Sequence, residues 1–299
     1  MLKVTPRPIK RGARRALRTA VQAWIKGRTT VFGIPTSDSS YDTLTVKLAK
    51  EFDCRLPLRA RLGNGMTVRV ARGDYISEHI LAHGYYEPDT VALFHRYLKP
   101  GMTVLDIGAH IGQYTMVASL LVGTSGHVHS FEPDPDTFAL LRRNCRDNGL
   151  GNVTLNALAL TEAPTIQTFY FSYGEDIGSN SLAEPRFFSG RTAQVQCIRL
   201  ADYIRTRNLD RVHFVKMDVE GAELGVLRGG GDLFEGTARP ILVMEFEEER
   251  QRAFGQSCAT LGAWLTARGY RLFRIGPELT PYRPSASDPR SLNILGLPE

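Results

Sequence analysis

No run of eighteen uninterrupted apolar residues occurs in this 299-residue sequence, so no segment has the length that a membrane-crossing helix needs. The opening residues also lack the apolar core of a secretory signal, and cytosolic folding is the expectation. Cysteine is scarce. Cys54, Cys145, Cys197 and Cys258 stand singly, with no C-x-x-C spacing, which excludes a zinc ribbon or a redox pair and leaves four reduced thiols. Acid is absent from residues 1–30, which carry nine lysines and arginines. The remaining chain has 28 basic against 31 acidic side chains, so the formal charge of +6 belongs to the N-terminal arm. A body without basic excess presents no nucleic-acid surface, and no specific nucleic-acid partner is expected. The arm reads as a solvated tail, because Gly12 and Gly27 interrupt or end any helix there. Its alternative role is peripheral contact with an anionic surface, through its charge and an apolar stripe of Leu17, Val21, Trp24 and Ile25.

What is present is 42% hydrophobic residues, enough for a substantial core. Residues 1–40 read as arm and linker, 41–83 as an extension with a helix and a β-hairpin turning at Asn64-Gly65, and 84–299 as the main domain. From Glu87 to about Leu98 the pattern is helical. Beyond it, strands at Val104–Ile107, Gly126–Phe131, Val153–Ala159, His213–Met217 and Ile241–Glu245 alternate with helices at Tyr114–Leu121, Asp136–Asn148, Leu200–Arg207, Glu223–Leu227 and Cys258–Ala267. Alternation of this kind requires a mostly parallel, doubly wound α/β sheet with right-handed crossovers. Thr168–Phe171, Tyr270–Ile275 and Leu292–Leu295 are expected to add strands at its edge.

Three turns carry chemistry. In the first, the strand ending Val-Leu-Asp106-Ile delivers Gly108, Ala109, His110, Ile111 and Gly112 into a strand-to-helix turn, where glycine permits close approach and the helix start offers free N–H groups. His110 stands where a dinucleotide fold needs its second glycine, and Asp106 would repel a phosphate. Asp106 suits instead the α-ammonium of an amino-acid-bearing nucleoside. In the second, Glu132 ends the next strand, placed to accept hydrogen bonds from both ribose hydroxyls. In the third, Phe-Val-Lys-Met breaks into Asp218-Val-Glu220-Gly-Ala-Glu223. Asp218 and Glu220 emerge at the carboxyl edge of the sheet, where ligands of such folds bind. Either could instead simply cap the following helix.

These segments resemble the FkbM-type S-adenosylmethionine-dependent methyltransferases. The resemblance runs from Gly84-Tyr85-Tyr86-Glu87-Pro88 and Leu98-Lys99-Pro100-Gly101-Met102 through the D-I-G-A-H-I-G turn to F-E-P-D-P-D-T-F at Phe131–Phe138. It continues with N-V-T-L at Asn152–Leu155, V-K-M-D-V-E-G-A-E-L at Val215–Leu224 and R-P-I-L-V-M-E-F at Arg239–Phe246. It implies a Rossmann-like class I fold, a mostly parallel seven-stranded sheet with helices on both faces, with motifs concentrated in residues 101–250. It further implies that Asp106, Gly108, His110, Gly112 and Glu132 bind the cofactor, with backbone near Ala159 at the adenine. Glu87, Ser181 and Glu245 are then expected on the acceptor side. This chain departs from the family pattern in having His110 for an asparagine and a lone Asp202 for an acidic doublet; imidazole can replace an amide as a hydrogen-bonding group.

The expected reaction is methyl transfer to a hydroxyl of a sugar, glycan, lipid or other small natural-product acceptor, with Asp218 or Glu220 as the base. A divalent cation held by these two acids and Glu245 is the less favoured route. A nicotinamide oxidoreductase and a non-catalytic binding module are the rival readings, and the oligomeric state is left open. The histidines, including the helical pair His79 and His83 and the strand pair His127 and His129, are assigned structural roles.

Overall fold

The computed structural model describes residues 59–70, 74–172, 179–284 and 291–299, together with Thr19, Ala20 and Ala23. The reading of the basic arm as tail or helix lies outside the described residues, except that those three are helical and exposed. The chain divides into two compact units, residues 1–72 with 76–86 and residues 73–75 with 87–299.

In the first unit, β1 (Arg59–Arg61) and β2 (Thr67–Arg69) pair antiparallel, with Ala60 opposite Val68. Both of these are buried. Gly65 takes the positive φ, at 87°, that closes the connection. Helix α1 (Tyr75–His83) follows.

The second unit opens with α2 (Pro88–Tyr97), whose proline needs no N–H in the first turn. The alternation then runs β3 (Thr103–Ile107), α3 (Gln113–Val122), β4 (His127–Phe131), α4 (Pro135–Asp147), β5 (Val153–Asn156), β6 (Ala159–Leu160), β7 (Thr165–Ser172) and β8 (Phe188–Ile198). It continues α5 (Leu200–Thr206), β9 (Phe214–Met217), α6 (Glu223–Gly229), β10 (Ile241–Phe246), α7 (Glu248–Ala253), α8 (Cys258–Thr266), β11 (Tyr270–Arg274), β12 (Thr280–Pro281) and β13 (Leu292–Pro298). Asp134 starts α4 by accepting the Asp136 N–H at 2.9 Å, ahead of Pro135. Ser257 does the same for α8 through the Thr260 N–H.

The main sheet has the order β12-β11-β13-β10-β9-β3-β4-β5. Strands β5, β4, β3, β9 and β10 are mutually parallel, and β13 inserts antiparallel between β10 and β11. The order reverses beside β3, the switch point at which open α/β sheets bind ligands. The doubly wound expectation is met, with the two-residue β12 as an eighth, edge strand. Two local expectations are corrected. The strand read as Val153–Ala159 is two, because the chain leaves the main sheet after Asn156 and re-pairs at Ala159 with Cys197. Likewise Thr168–Phe171 lies inside β7, which belongs to a separate sheet β6-β8-β7 rather than to the main edge. Its partner β8 is mostly exposed and has no clear two-residue alternation, so its pattern is that of a loop.

The central strands are buried on both faces: all of β9 and the last four residues of β3 are inaccessible. That is the condition of a sheet covered by helices on both sides. The largest apolar cluster joins Leu105, Ile107, Val215, Met217, Leu242 and Met244 to Leu224 and Leu227 of α6 and Leu261 and Leu265 of α8. Cys145, Cys197 and Cys258 are buried free thiols; Cys54 is outside the described residues. No helix among the described residues is long and apolar enough to cross a membrane.

Candidate active site

β3 and β9 lie side by side, with Asp106 in register with Lys216 and Ile107 with Met217. The turns that follow them therefore meet. The Asp218 N–H donates to the Ile107 carbonyl at 3.0 Å. Gly108, at φ 81°, lies so close to the Asp218 carbonyl that a Cβ would overlap its oxygen. Gly112, at φ 97°, leaves room for Leu141, whose Cδ1 would lie 2.6 Å from a Cβ there. The two glycines are thus demanded by packing of turn on turn and helix on helix, whatever a ligand adds.

Asp106 is fully buried. Its Oδ2 accepts from the Thr115 hydroxyl at 2.6 Å, while Oδ1 has no hydrogen-bond partner. Burial raises its pKa, and the Lys216 ammonium pulls it back. Glu132 clips the first turn to the second strand: Oε2 accepts from the His110 N–H and Oε1 from the Asp134 N–H, both at 2.9 Å. Burial pushes this carboxyl up to about 8 against the pull of those two donors. His110 holds a left-handed φ of 50°, and its Nε2 lies 3.6 Å from Oδ1 of the buried Asp74. Glu87 caps α2 in left-handed geometry and accepts from the Tyr114 hydroxyl at 2.7 Å. Ala159 packs its side chain among Phe169, Phe171, Val195 and Cys197.

The third turn gathers acids. Asp218, Glu220 and Glu245 each bring a carboxylate oxygen within 4.8 Å of the others. Neither Asp218 nor Glu220 caps the next helix: its N-cap is Ala222, without a side-chain bond. Glu223 does the capping work, accepting from the Val219 N–H at 3.0 Å, and Gln251 holds its other oxygen. Glu220 takes a left-handed φ of 59°, a costly choice for a residue with a side chain, and forms an ion pair with Arg250. Arg250 also contacts Glu247 at 2.7 Å and donates to the Ser179 hydroxyl at 3.0 Å. Glu245 accepts from Ser291 at 2.5 Å. Burial drives the Glu220 and Glu245 carboxyls well above their usual range, with repulsion from Glu245 adding to it at Glu220 and from Asp218 at Glu245. Burial opposes ionisation of Asp218 too, but Lys216 outweighs it and the pKa falls.

A cavity of about 480 Å³ opens beside this turn, lined among others by Ser179, Ser181, Glu220 and Arg250. Ser181, expected on the acceptor side, is buried and donates to the Glu220 carbonyl at 3.1 Å; it fixes the backbone that carries the acid. Of the three clustered acids, Glu220 lines the cavity. Three carboxylates could ligate a divalent cation, but Lys216 and Arg250 already supply two positive charges to them, which any metal would have to face.

Lys216 and Arg250 were not singled out in the sequence. Lys216 had a signal, a lysine inside the otherwise apolar Phe-Val-Lys-Met strand. Arg250 sits in a run of glutamates that reads as a solvated helix face. Three histidines bond within the fold: His129 Nδ1 bonds the Tyr203 hydroxyl at 2.8 Å, His127 Nε2 bonds Thr154 at 2.8 Å and His213 Nδ1 accepts from the Thr103 N–H at 3.0 Å.

A sheet of this order, with an orphan acid at the end of its first strand, a buried acid at the tip of the second and an acidic turn beside them, makes a doubly wound α/β domain with its candidate site at the switch point. Comparison with known proteins gives the family. The methyltransferase FkbM domain matches residues 106–272, more than half the chain, and the chain belongs to that family. It is 31% identical over 146 residues to methyltransferase 1 of Beauveria bassiana, an alignment covering 43% of this chain and 58% of that protein, so less than two thirds of that relative is spanned. It is 28% identical to the 31-O-demethyl-FK506 methyltransferase FkbM of Streptomyces tacrolimicus, covering 58% and 75% respectively. Identity to the 2-O-methyltransferase NoeI of Sinorhizobium fredii is 26%, covering 55% and 78%.

Proposed function

We propose that the protein methylates a hydroxyl group of a small-molecule, sugar, glycan or lipid acceptor, with Glu220 as the base. The observation that carries this is the meeting of the two turns: Gly108 packs on Asp218, and two residues later Glu220 faces the cavity. The printed names of two relatives, a 31-O-demethyl compound and a 2-O position, support oxygen as the acceptor atom.

The orphan Oδ1 of Asp106 tests whether the residues fit the cofactor. A buried acceptor without a donor costs about 1–3 kcal/mol or more, and the α-ammonium of S-adenosylmethionine would supply that donor. The residues fit. Asp106, the turn 108–112 and Glu132 would hold it, Glu132 through the free lone pairs of its two oxygens. When bound, S-adenosylmethionine supplies an electrophilic methyl group.

The chain's own residues do the rest. Lys216 keeps Asp218 ionised, so Asp218 can accept a hydrogen bond from the acceptor hydroxyl and orient it. Glu220 takes the hydroxyl proton at Oε1, its Oε2 being occupied by Arg250. A carboxyl raised by burial is a stronger base than one in water, and base assistance is worth about 10²- to 10⁴-fold. Arg250 tempers that rise and fixes the rotamer. Ser181 bonds the Glu220 carbonyl and so helps fix the backbone in its left-handed conformation, while holding donor and acceptor together contributes on the order of 7–11 kcal/mol in favourable cases.

Calorimetry with S-adenosylmethionine, followed by transfer of a labelled methyl group to hydroxylated acceptors, tests the proposal. Binding together with alkali-stable label on oxygen supports it; absence of binding, or label on nitrogen or carbon, defeats it.

A further inference from the structure

Resting on that reading, we propose that Asp74 is a positioning residue for the cofactor: it turns the His110 imidazole so that Nδ1 accepts a hydrogen bond from a hydroxyl or ammonium of S-adenosylmethionine. Asp74 precedes the matched residues 106–272, so the family match assigns it no part. It belongs to the same compact unit as His110, and its side chain is almost wholly buried, at 1% exposure. The His110 Nε2 lies 3.6 Å from Oδ1 of Asp74, longer than a hydrogen bond but too short for a water to stand between.

A carboxylate only accepts, so the ring nitrogen facing it is the one that carries hydrogen, and in a neutral imidazole the other nitrogen is then an acceptor. That other nitrogen, Nδ1, is buried without a hydrogen-bond partner. An unmet acceptor inside the protein is a cost, and this one belongs to the turn between Gly108 and Gly112. The backbone of the same residue is already fixed, left-handed at φ 50° with its N–H on Glu132. The ring thus has one nitrogen facing a buried acid and one left for a ligand, as Asp106 has one oxygen held by Thr115 and one left over. Position 110 is also where the chain departs from the family pattern, with histidine for asparagine. An amide carries its donor and its acceptor on fixed atoms, whereas imidazole needs a neighbour to set its tautomer. Asp74 supplies that neighbour. It also stands directly before α1, where an aspartate commonly caps a helix, but a cap makes no demand on residue 110.

The full chain is titrated with S-adenosylmethionine by calorimetry at pH 8 as the parent, Asp74→Asn, His110→Asn and the double variant. Asparagine caps a helix as well as aspartate does, so a capping role leaves the Kd unmoved. The expected result is a Kd raised about fivefold or more by Asp74→Asn in the parent, and changed less than about twofold by the same substitution in the His110→Asn background. No effect in either background, or an equal loss in both, overturns the proposal. A second measurement needs no Asp74 variant. In the parent with nitrogen-labelled histidine, long-range NMR correlation at pH 8, with the His110 signals identified by their loss in His110→Asn, should show hydrogen on Nε2 alone. The Nδ1 resonance should then move upfield when S-adenosylmethionine is added. Hydrogen on Nδ1, or an Nδ1 resonance that the cofactor does not move, also overturns the proposal. Failure of the parent to bind S-adenosylmethionine would overturn the methyltransferase reading itself, and the inference with it.

Discussion

Lys216 and Asp218 lie two residues apart where β9 becomes a turn, with Nζ 3.1 Å from Oδ2, and the lysine is almost wholly removed from water. Its ammonium also faces Asp106 across the β3–β9 register and the Tyr114 ring at 4.8 Å. One buried cation therefore serves both the cofactor turn and the acidic turn. Lys216→Met removes it, leaving Asp106 without its cation and Asp218 with only the Arg250 charge. Removing one partner of a buried pair costs about 3–5 kcal/mol, and the quarter of the Asp218 side chain that stays exposed reduces this to about 2–3 kcal/mol. Urea unfolding checks it: a loss below about 0.5 kcal/mol would mean that the pair is solvent-screened.

Asp106→Asn preserves shape and the bond to Thr115 but withdraws the charge that the orphan oxygen would offer to an ammonium. A hydrogen bond to a charged group is worth about 1.5–3 kcal/mol, so the Kd for S-adenosylmethionine should rise about 10- to 100-fold. Calorimetry at constant pH measures it, and an unchanged Kd would move the amino group away from this residue.

Much of this arrangement was legible in the residues. An apolar strand ending in Asp106 or Glu132, followed by glycine or proline, states its own topology, because strand burial and turn chemistry agree. From the residues alone, Asp218, Glu220 and Glu245 come together only as ligands of the less favoured metal route, and their carboxylate oxygens do lie within 4.8 Å of one another. What escaped were contacts between segments far apart in sequence. Arg250 pairs with an acid thirty residues earlier, and nothing local distinguishes it from Arg252, which only binds Glu248 one helical turn away. The strand β8 escaped because both its faces carry polar groups. The packing need for Gly108 was also hidden, since the carbonyl it must avoid belongs to residue 218.

That packing makes Gly108→Ala a severe change. The position has φ 81°, where a Cβ costs about 1–2 kcal/mol, and the overlap with the Asp218 carbonyl must be relieved by parting the two turns. A total loss of about 3 kcal/mol or more is expected, at the high end for single substitutions. Chemical denaturation would read it, and a variant as stable as the parent would show that the turns are not held together.

Stability should also depend on pH. Glu132 at about 8 and Glu223 at about 7, with Glu220 and Glu245 raised likewise, all bind protons more tightly folded than unfolded. Between pH 4.5 and 8 the native state then carries more protons, so unfolding free energy falls as pH rises. The stability these groups lend is full below their unfolded pKa and lost as pH climbs through the folded values. Below the ordinary histidine pKa of 6.5 the lowered His127, His129 and His213 act in the opposite sense, so melting temperature without ligand should decline from pH 7 to pH 8, and Glu245→Gln, which cannot titrate, should flatten the slope. A melting temperature that rises over this range would assign the ionised forms to the folded state instead.

Glu220→Gln separates base from binding. The amide is isosteric and keeps an oxygen for Arg250, so the turn should hold its shape, yet it cannot take a proton. Methyl transfer should fall about 10²- to 10⁴-fold, with the Kd for S-adenosylmethionine within twofold of the parent, because Asp106 and Glu132 are untouched. Asp218→Asn gives the contrast: Asp218 orients rather than accepts the proton, so its loss should raise the acceptor KM along with lowering kcat. Single-turnover rates measured across pH 6–9 distinguish the two, since the rise in rate with pH set by the base should vanish in Glu220→Gln and persist in Asp218→Asn. If the rise survives in Glu220→Gln and is absent from Asp218→Asn, the roles are exchanged, and Lys216 would then hold the base rather than the guide.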